Sequence, residues 1–244
     1  MNQMNEYDNL EFFESYSQME RSKKGLAGAG EWHQFKKLLP NFKEKRVLDL
    51  GCGYGWHCRY AVEQGASFVL GIDTSQRMLD QAKQMTQTQA IHYKNMKIED
   101  VNQLEQTFDC VISSLALHYV SSFEEVVQKV YGLLTEKGTF VFSVEHPIFT
   151  AEGTEDWIYD EKKNKIAWPV DSYFDEGIRE TTFLGKKVSK YHKTLTTYLN
   201  SLLINGFDLL EVVEATPDPS IMELPDMKDE LRRPMMLLIS ARKK

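Results

Sequence analysis

A short apolar run that leads directly into three alternating glycines constrains this chain more than any other feature. Residues 47–55 read VLDLGCGYG, so glycine occupies every second position after the run. Glycine lets a strand turn sharply into a helix and lets a ligand approach the backbone, because it has no Cβ to obstruct either. The helix behind such a turn presents unpaired N–H groups at its N-terminus. The segment therefore predicts a ligand site at the carboxyl end of a strand.

An acid further along the chain indicates what that ligand contains. Asp73 ends the next apolar run, SFVLGI, which predicts a second strand. In dinucleotide sites the acid at this place accepts hydrogen bonds from the ribose hydroxyls. The dinucleotide fingerprint is G-x-G-x-x-G, however, and Trp56 stands where its third glycine belongs. A ribose-containing ligand is therefore predicted, and an NAD-dependent oxidoreductase is the less favoured alternative.

The remaining chain alternates short β-branched runs with helical patterns, which is typical of strand–helix–strand units on a parallel sheet. Helices are predicted from about residue 55, after Thr74 or Ser75 as N-cap, and at 123–134 and 195–203. The pattern predicts an α/β fold with a Rossmann-like, doubly wound, seven-stranded sheet, mostly parallel, with an antiparallel C-terminal edge strand and helices on both faces. The predicted strands cover residues 46–50, 67–72, 91–94, 108–113, 139–144, 207–214 and 235–241.

Residues 145–193 break this rhythm, because they are rich in charged and aromatic residues and have no clear period. We predict a cap insertion after strand five. The chain shows no repeat and no linker, so a single domain is expected over residues 1–244. Its predicted parts are a helical N-terminal lid (1–44), a cofactor-binding core (45–145), the cap (146–193) and a C-terminal helix with the last strands (194–244). A long loop with four prolines, Pro225 among them, separates the last two predicted strands.

Charge and composition exclude several classes of partner. The 29 Lys and Arg against 36 Asp and Glu give a net charge of −7, which argues against tight binding to a nucleic acid. No apolar stretch approaches the roughly 20 residues that span a bilayer. The first residues lack the features of a secretory signal, so we expect a cytoplasmic protein. The three cysteines form no C-x-x-C pair, so neither disulfides nor a metal site are expected.

Several segments together resemble one family. VLDLGCGYG and GIDTSQRML are similar to the first two motifs of the class I S-adenosylmethionine-dependent methyltransferases, in particular the UbiE-like and BioC-like small-molecule members of the type 11 branch. FDCVISSLALHYV and LLTEKGTFVFSVEHP resemble the fourth and fifth strand segments of that family. The resemblance implies S-adenosylmethionine as cofactor and methyl transfer to a small-molecule acceptor by in-line displacement. A non-catalytic protein that binds this cofactor is an alternative.

The resemblance also implies roles for individual residues. The glycine turn would approach the methionine portion of the cofactor, Asp73 would hold the ribose, and Thr74 and Met78 would flank the adenine. Lysine stands where the family commonly has an acid that meets the adenine amine, so the Ile98 N–H or Glu99 would take that role. The other implied contacts are Gly51, Cys52, Gly53 and Gly55 in the turn, Ser113, Ser114 and Leu115 beneath the methyl group, and Tyr16, Arg21 and Leu26 from the N-terminal segment.

Candidate catalytic residues follow from the chemistry that methyl transfer requires. Most of the rate comes from holding the nucleophile about 3 Å from the methyl group, and an acceptor that carries a proton also needs a base. His118 and His146 follow the fourth and fifth strands, where ligands bind in open α/β sheets, and Tyr119 is adjacent. A purely structural role is equally open for each histidine. The fourth strand also lacks the Asp/Asn-Pro-Pro-aromatic tetrad of enzymes that methylate nucleic acid bases.

Overall fold

The computed structural model describes residues 5–223 and 227–244. Residues 1–4 of the predicted N-terminal lid and Pro225 of the predicted loop lie outside the described residues. Within the described part, no helix has the length and apolar character needed to cross a membrane.

The strands belong to one large sheet and two small hairpins. In chain order they are β1 (Arg46–Leu50), β2 (Phe68–Asp73), β3 (Ile91–Asn95), β4 (Phe108–Ser114), β5 (Leu134–Glu145), β6 (Ile158–Tyr159), β7 (Lys165–Ala167), β8 (Gly177–Phe183), β9 (Lys186–His192), β10 (Phe207–Glu214) and β11 (Met236–Lys243). The large sheet has the order β10-β11-β5-β4-β1-β2-β3, and strands β1 to β5 run parallel to one another. The predicted doubly wound, seven-stranded sheet is confirmed.

Helices cover both faces of this sheet. They are α1 (Leu10–Ser17), α2 (Glu20–Lys24), α3 (Trp32–Leu38), α4 (Trp56–Glu63), α5 (Gln76–Gln84), α6 (Phe123–Leu133), α7 (Pro147–Thr150), α8 (Leu195–Ile204) and α9 (Met227–Glu230). Apolar residues of α6 and α8 form one buried cluster with the sheet, and those of α3, α4 and α5 form a second. Each cluster buries the apolar stripe that the helical spacing predicted.

Two details of the sheet differ from the sequence prediction. The last strand, β11, is not the outermost one, because it lies between β5 and β10 and is antiparallel to both. Most of its residues are buried, whereas only one residue of β10 is buried and half are exposed, so the more apolar strand takes the inner place. The predicted helix over 123–134 ends one residue earlier, and β5 starts at Leu134 rather than at Thr139 because Leu134 already pairs with Phe108.

The predicted cap contains two hairpins that the sequence analysis missed. The first joins β6 to β7, and the second joins β8 to β9 through a two-residue turn at Leu184 and Gly185. Both turn residues have positive φ, 51° and 76°, which matches the twist that such hairpins favour. The second hairpin brings Lys190 and Phe183 over the carboxyl ends of the parallel strands.

The N-terminal segment is fixed to the start of α5. The Asp8 carboxylate accepts hydrogen bonds from the Ser75 hydroxyl at 2.7 Å and from the Arg77 N–H at 3.1 Å. Asn5 donates to the Thr74 hydroxyl at 2.7 Å. These contacts hold α1 and α2 beside the edge of the sheet where β1 and β2 end.

The division of the chain into lid, core and cap stays a prediction.

Candidate active site

A cavity of about 610 Å³ lies at the carboxyl ends of the parallel strands, the place where open α/β sheets bind ligands. Its volume falls within the roughly 300–1,000 Å³ that is typical of small-molecule and cofactor sites. The walls come from the ends of the sheet strands, the N-terminal segment and the β8–β9 hairpin. A smaller recess of about 70 Å³, lined by Leu26 and Cys52 among others, adjoins it beside the glycine turn.

The glycine turn has the conformation that its sequence predicted. Gly51 and Gly53 have φ of +70° and +50°, a region that other residues rarely adopt. A Cβ on Gly51 would lie 2.4 Å from the Cβ of Ala116, so only glycine lets these two segments meet. A Cβ on Gly53 would find no atom within 4 Å, because this residue borders the cavity. The turn therefore forms a cradle that a side chain would fill, and a ligand can approach its backbone.

Asp73 closes the cradle from the neighbouring strand. Its Oδ2 accepts the Gly53 N–H and its Oδ1 accepts the Ser75 N–H, both at 2.9 Å. Burial raises the pKa of this carboxyl, while those N–H groups act in the opposite direction. Each carboxylate oxygen has a second lone pair, so both can still accept a hydroxyl proton. The residue lines the cavity and fits the ribose role that the sequence predicted.

An ion pair from the N-terminal segment lies at the glycine side of the cavity. The Arg21 guanidinium contacts Glu31 Oε1 at 2.5 Å, and both residues line the cavity. Glu31 is only 3% exposed, and its second oxygen, Oε2, is buried without a hydrogen-bond partner among the described residues. A buried carboxylate oxygen without a donor is costly, so a ligand that brings a positively charged donor fits this position.

The opposite end of the cavity holds a different set of polar groups. His118 Nδ1 accepts the Glu145 backbone N–H at 3.4 Å, and the hydroxyls of Tyr119 and Tyr7 lie 3.2 Å apart. Burial lowers the pKa of His118 well below its usual value, and the charges of Lys190, Lys193 and Arg21 lower it further. His118 is therefore neutral, and because Nδ1 accepts a hydrogen bond, the ring proton is assigned to Nε2.

The structure brings most of the predicted site residues together. Tyr16, Arg21, Gly51, Gly53, Asp73, Thr74, Met78, Ile98, Glu99, Ser114, Leu115, His118 and Tyr119 line the large cavity, and Leu26 and Cys52 line the recess.

Three predicted site residues lie elsewhere. Gly55 is the N-cap of α4 and faces the Tyr93 ring. Ser113 is buried, and its hydroxyl donates to the Leu50 carbonyl at 2.9 Å. His146 accepts the Ile148 N–H at its Nδ1, and its Nε2 lies 3.0 Å from a Glu214 carboxylate oxygen. His146 therefore does not line the cavity, and its Nε2 lies beside Glu214 instead.

The polar residues that line the cavity and that sequence analysis missed include Tyr7, Glu31, Glu145 and Lys190. Glu145 had a usable signal, since it ends a predicted strand at the edge where ligands bind. The others lie in segments without a regular apolar period, and nothing in their sequence pointed to a site.

Comparisons with known proteins agree with this geometry. A solved S-adenosylmethionine-dependent methyltransferase from Mesorhizobium loti is 41% identical to this chain, with a TM-score of 0.83 over 90% of this chain and 100% of that one. A structure from Listeria monocytogenes that is assigned to the same class is 55% identical, with a TM-score of 0.86 over 90% and 99% of the two chains. The chain belongs to the S-adenosylmethionine-dependent methyltransferases.

The methyltransferase is a class I member, and a family model described as a methyltransferase domain matches its residues 48–142. The predicted family, enzyme class and cofactor are confirmed. The oxidoreductase and the non-catalytic binding protein are set aside. S-adenosylmethionine carries an adenosine ribose and a methionine ammonium and carboxylate. Asp73, the open Gly53 backbone and the Arg21–Glu31 pair have the donors and acceptors that these groups need.

Relatives with named acceptors differ in what they methylate. The tRNA U34 carboxymethyltransferase of Hahella chejuensis is 28% identical over 65% of this chain and 46% of its own length. The malonyl-[acyl-carrier protein] O-methyltransferase of Enterobacter lignolyticus is 36% identical over 43% of this chain and 41% of its own length. This chain thus spans less than half of each of them, and the acceptor does not follow from these matches.

Proposed function

We propose that this enzyme transfers the methyl group to a small-molecule acceptor by in-line displacement. The observation that carries the proposal is the set of chain segments that line the far end of the cavity. Tyr7 of the N-terminal segment, Tyr119 after β4 and Lys190 of the β8–β9 hairpin all line that end. A site walled by three separate segments of the chain suits a compact acceptor better than a base in a folded RNA. The net charge of −7 supports the same choice, since RNA binding requires positive charge.

Residues of this chain would hold and orient both reactants. When bound, S-adenosylmethionine supplies a methyl group on a positively charged sulfur. We assign Asp73 to the ribose hydroxyls, Arg21 to the methionine carboxylate and Glu31 Oε2 to the methionine ammonium. Ser114 ends β4 and Leu115 follows it, between the cradle and the far end, which is the position expected for the floor beneath the methyl group. Exclusion of water by these walls then favours the displacement.

His118 is proposed as a donor rather than a base. Its neutral ring carries the assigned proton on Nε2, for which the described residues provide no hydrogen-bond partner. The residue is 2% exposed and lines the cavity, so an acceptor substrate is the available partner. Tyr119 and Tyr7 provide further hydroxyls beside it.

A cytoplasmic location for the enzyme stays a prediction.

Two measurements test the proposed function. Calorimetric titration with S-adenosylhomocysteine should give one binding site per chain. Incubation of a metabolite extract with an isotope-labelled methyl donor should place the label in the low-molecular-weight fraction. Label that appears only in tRNA or protein would contradict a small-molecule acceptor.

Glu31→Gln should weaken binding of S-adenosylhomocysteine by about tenfold, because a charged acceptor for the methionine ammonium is lost, at roughly 1.4 kcal/mol per tenfold. Adenosine, which lacks the methionine portion, should bind the variant and the wild type equally. Glu14→Gln, an exposed change in α1, serves as the control. An equal loss of affinity for both ligands would show that Glu31 only supports the fold.

A further inference from the structure

A buried ion cluster lies behind the far end of the cavity. The Lys190 ammonium donates to Glu145 at 2.6 Å and to Glu155 at 2.7 Å. The side chains are 2%, 15% and 10% exposed, respectively. One ammonium thus faces two carboxylates, so the fully ionised cluster carries one excess negative charge. Such a charge is costly in a buried position, and the cluster therefore favours binding of a proton or a cation.

Glu155 shows where a proton is held. Burial raises its pKa most, the charge of Glu145 acts in the same direction and Lys190 in the opposite one, and the pKa is about 7 as a result. A hydrogen bond with Glu145 also favours the protonated form of Glu155, so the two carboxyl groups share a proton. The cluster is therefore divided between its singly protonated and fully ionised forms near neutral pH.

Glu145 connects this cluster to the cavity. It ends β5, whose Ser143 pairs with Ser114 of β4 and accepts the Leu115 N–H at 2.9 Å. Glu145 thus follows closely the strand positions that we assign to the methyl site, and it lines the cavity. Its Oε1 binds Lys190, while its Oε2 is buried and, apart from the proton shared with Glu155, has no donor within residues 5–223 and 227–244.

Other groups at this end are poorly suited to accept a proton. His118 is neutral, its Nδ1 is occupied by a backbone N–H, and its pKa is depressed by burial. Burial also raises the pKa of Tyr119 well above its usual value, so its hydroxyl stays protonated. The carboxylate of Glu145 is left as the acceptor at the cavity wall.

We propose that Glu145 binds and deprotonates the methyl acceptor, that Glu155 holds the released proton, and that the acceptor is a primary or secondary amine. This inference rests on the proposed function and specifies its substrate class. An ammonium group compensates the excess negative charge of the cluster, which a neutral alcohol does not. An acidic acceptor would add a third negative charge at the same place, at a cost.

The proposed reaction balances in two steps. The bound ammonium first gives one proton to the ionised carboxyl pair, which becomes singly protonated and leaves a neutral amine. The nitrogen lone pair then forms the N–C bond to the methyl group, while the C–S bond breaks and its electron pair stays on sulfur. The product is a methylated ammonium, and the pair returns its proton to solvent as the product leaves.

The pH dependence of this step involves the titratable groups that face Glu145 within the described part of the chain. They come from the N-terminal segment, the segment after β4, the loop after α7, strand β9 and helix α8, and they are Tyr7, His118, Tyr119, Glu155, Lys190 and Tyr198. Burial keeps the tyrosines protonated and His118 neutral at physiological pH. Glu155 is thus the group whose charge changes near pH 7.

A substrate-independent experiment tests the proton-holding pair. NMR of glutamate carboxyl carbons in the S-adenosylhomocysteine complex should show one carboxyl that titrates near pH 7. That signal should disappear in Glu155→Gln, and in Glu145→Gln it should titrate at lower pH because the neighbouring charge is gone. Wild-type protein with no glutamate titrating between about pH 6 and 8 would overturn the proposal.

A second experiment tests the acceptor class. An extract is separated by cation exchange, incubated with enzyme and an isotope-labelled methyl donor, and the chemical shift of the transferred methyl group is read. A methyl group on nitrogen is expected, and one on oxygen, sulfur or carbon would overturn the amine assignment. Label in no fraction, with S-adenosylhomocysteine still bound, would instead refute the proposed function, and the inference with it.

Variants separate a catalytic from a structural role. Glu145→Gln should lower transfer about 100-fold, within the range for loss of a general base, while affinity for S-adenosylhomocysteine changes less than twofold. Glu145→Asp, which keeps the carboxylate, should recover part of the activity. The exposed Glu161→Gln is the matched control in the same insertion. Equal losses in Glu145→Gln of transfer and of cofactor affinity would mean that Glu145 only supports the fold, and would overturn the proposal.

Discussion

Replacing Lys190 by methionine should lower the free energy of unfolding by about 3–5 kcal/mol at pH 8, the usual cost of removing one partner from a buried ion pair. Methionine has nearly the same length, so the loss comes from charge rather than from a cavity. The substitution leaves Glu145 and Glu155 buried without their shared cation. Urea denaturation followed by circular dichroism measures the change.

The sign of the pH dependence follows from Glu155. Its pKa in the folded state, about 7, is above its unfolded value, so protonation stabilises the folded protein, and this stabilisation is lost as pH rises towards 7 and beyond. Lys190 lowers the pKa of Glu155, so its removal raises that pKa further. The deficit of Lys190→Met should therefore be smaller at about pH 5 than at pH 8.

A neighbour on the same strand provides the control for this effect. Lys187 is exposed on β9, and Lys187→Met should change the free energy of unfolding by less than about 0.5 kcal/mol at either pH. A deficit in Lys190→Met that is the same at both pH values would contradict the charge argument and point to packing.

The sequence predicted those parts of the site whose conformation is determined by residues close to them in the chain. The glycine turn and Asp73 belong to consecutive strand ends, and the spacing of glycines after an apolar run limits that turn to few conformations. The parallel register of β1 and β2 then places Asp73 beside the turn, so no other part of the sequence is needed to predict this contact. The parallel strands were predictable for the same reason, since each is a short apolar run.

The ion cluster was not predictable, because its members meet only in the folded chain. In β9 the buried side chains include Val188, Lys190 and His192, so the alternation that marks a strand carries polar residues at two of three buried positions. The turn before it offers Gly185 as its only usual turn residue, because Leu184 is not a typical residue at positive φ. Hydrophobic patterns therefore could not identify this hairpin.

The sequence also does not show which of two neighbouring residues at a strand end faces a ligand. His146 was predicted as a candidate base because histidine titrates near neutral pH, whereas the cavity is lined by the preceding residue, Glu145. Successive side chains of an extended chain point in opposite directions, so a shift of one residue decides which of the two faces the ligand. His146 instead lies beside Glu214.

Asp73→Ala should weaken binding of S-adenosylhomocysteine by about 10- to 150-fold, which corresponds to roughly 1.5–3 kcal/mol for hydrogen bonds to a charged group. The variant loses the acceptor of the ribose hydroxyls and also the partner of the Gly53 N–H. Calorimetric titration measures the change, and Asp80→Ala, an exposed carboxylate in α5, is the control.

A ligand that lacks one ribose hydroxyl separates these two contributions. The wild type should bind the deoxy analogue of S-adenosylhomocysteine more weakly than the parent ligand, whereas Asp73→Ala should bind the two alike, because the carboxylate that distinguishes them is gone. The difference between the wild type and the variant in this preference measures the ribose contact separately from any change in the turn. If the variant still discriminates between the two ligands as the wild type does, Asp73 acts through the glycine turn and does not bind the ribose.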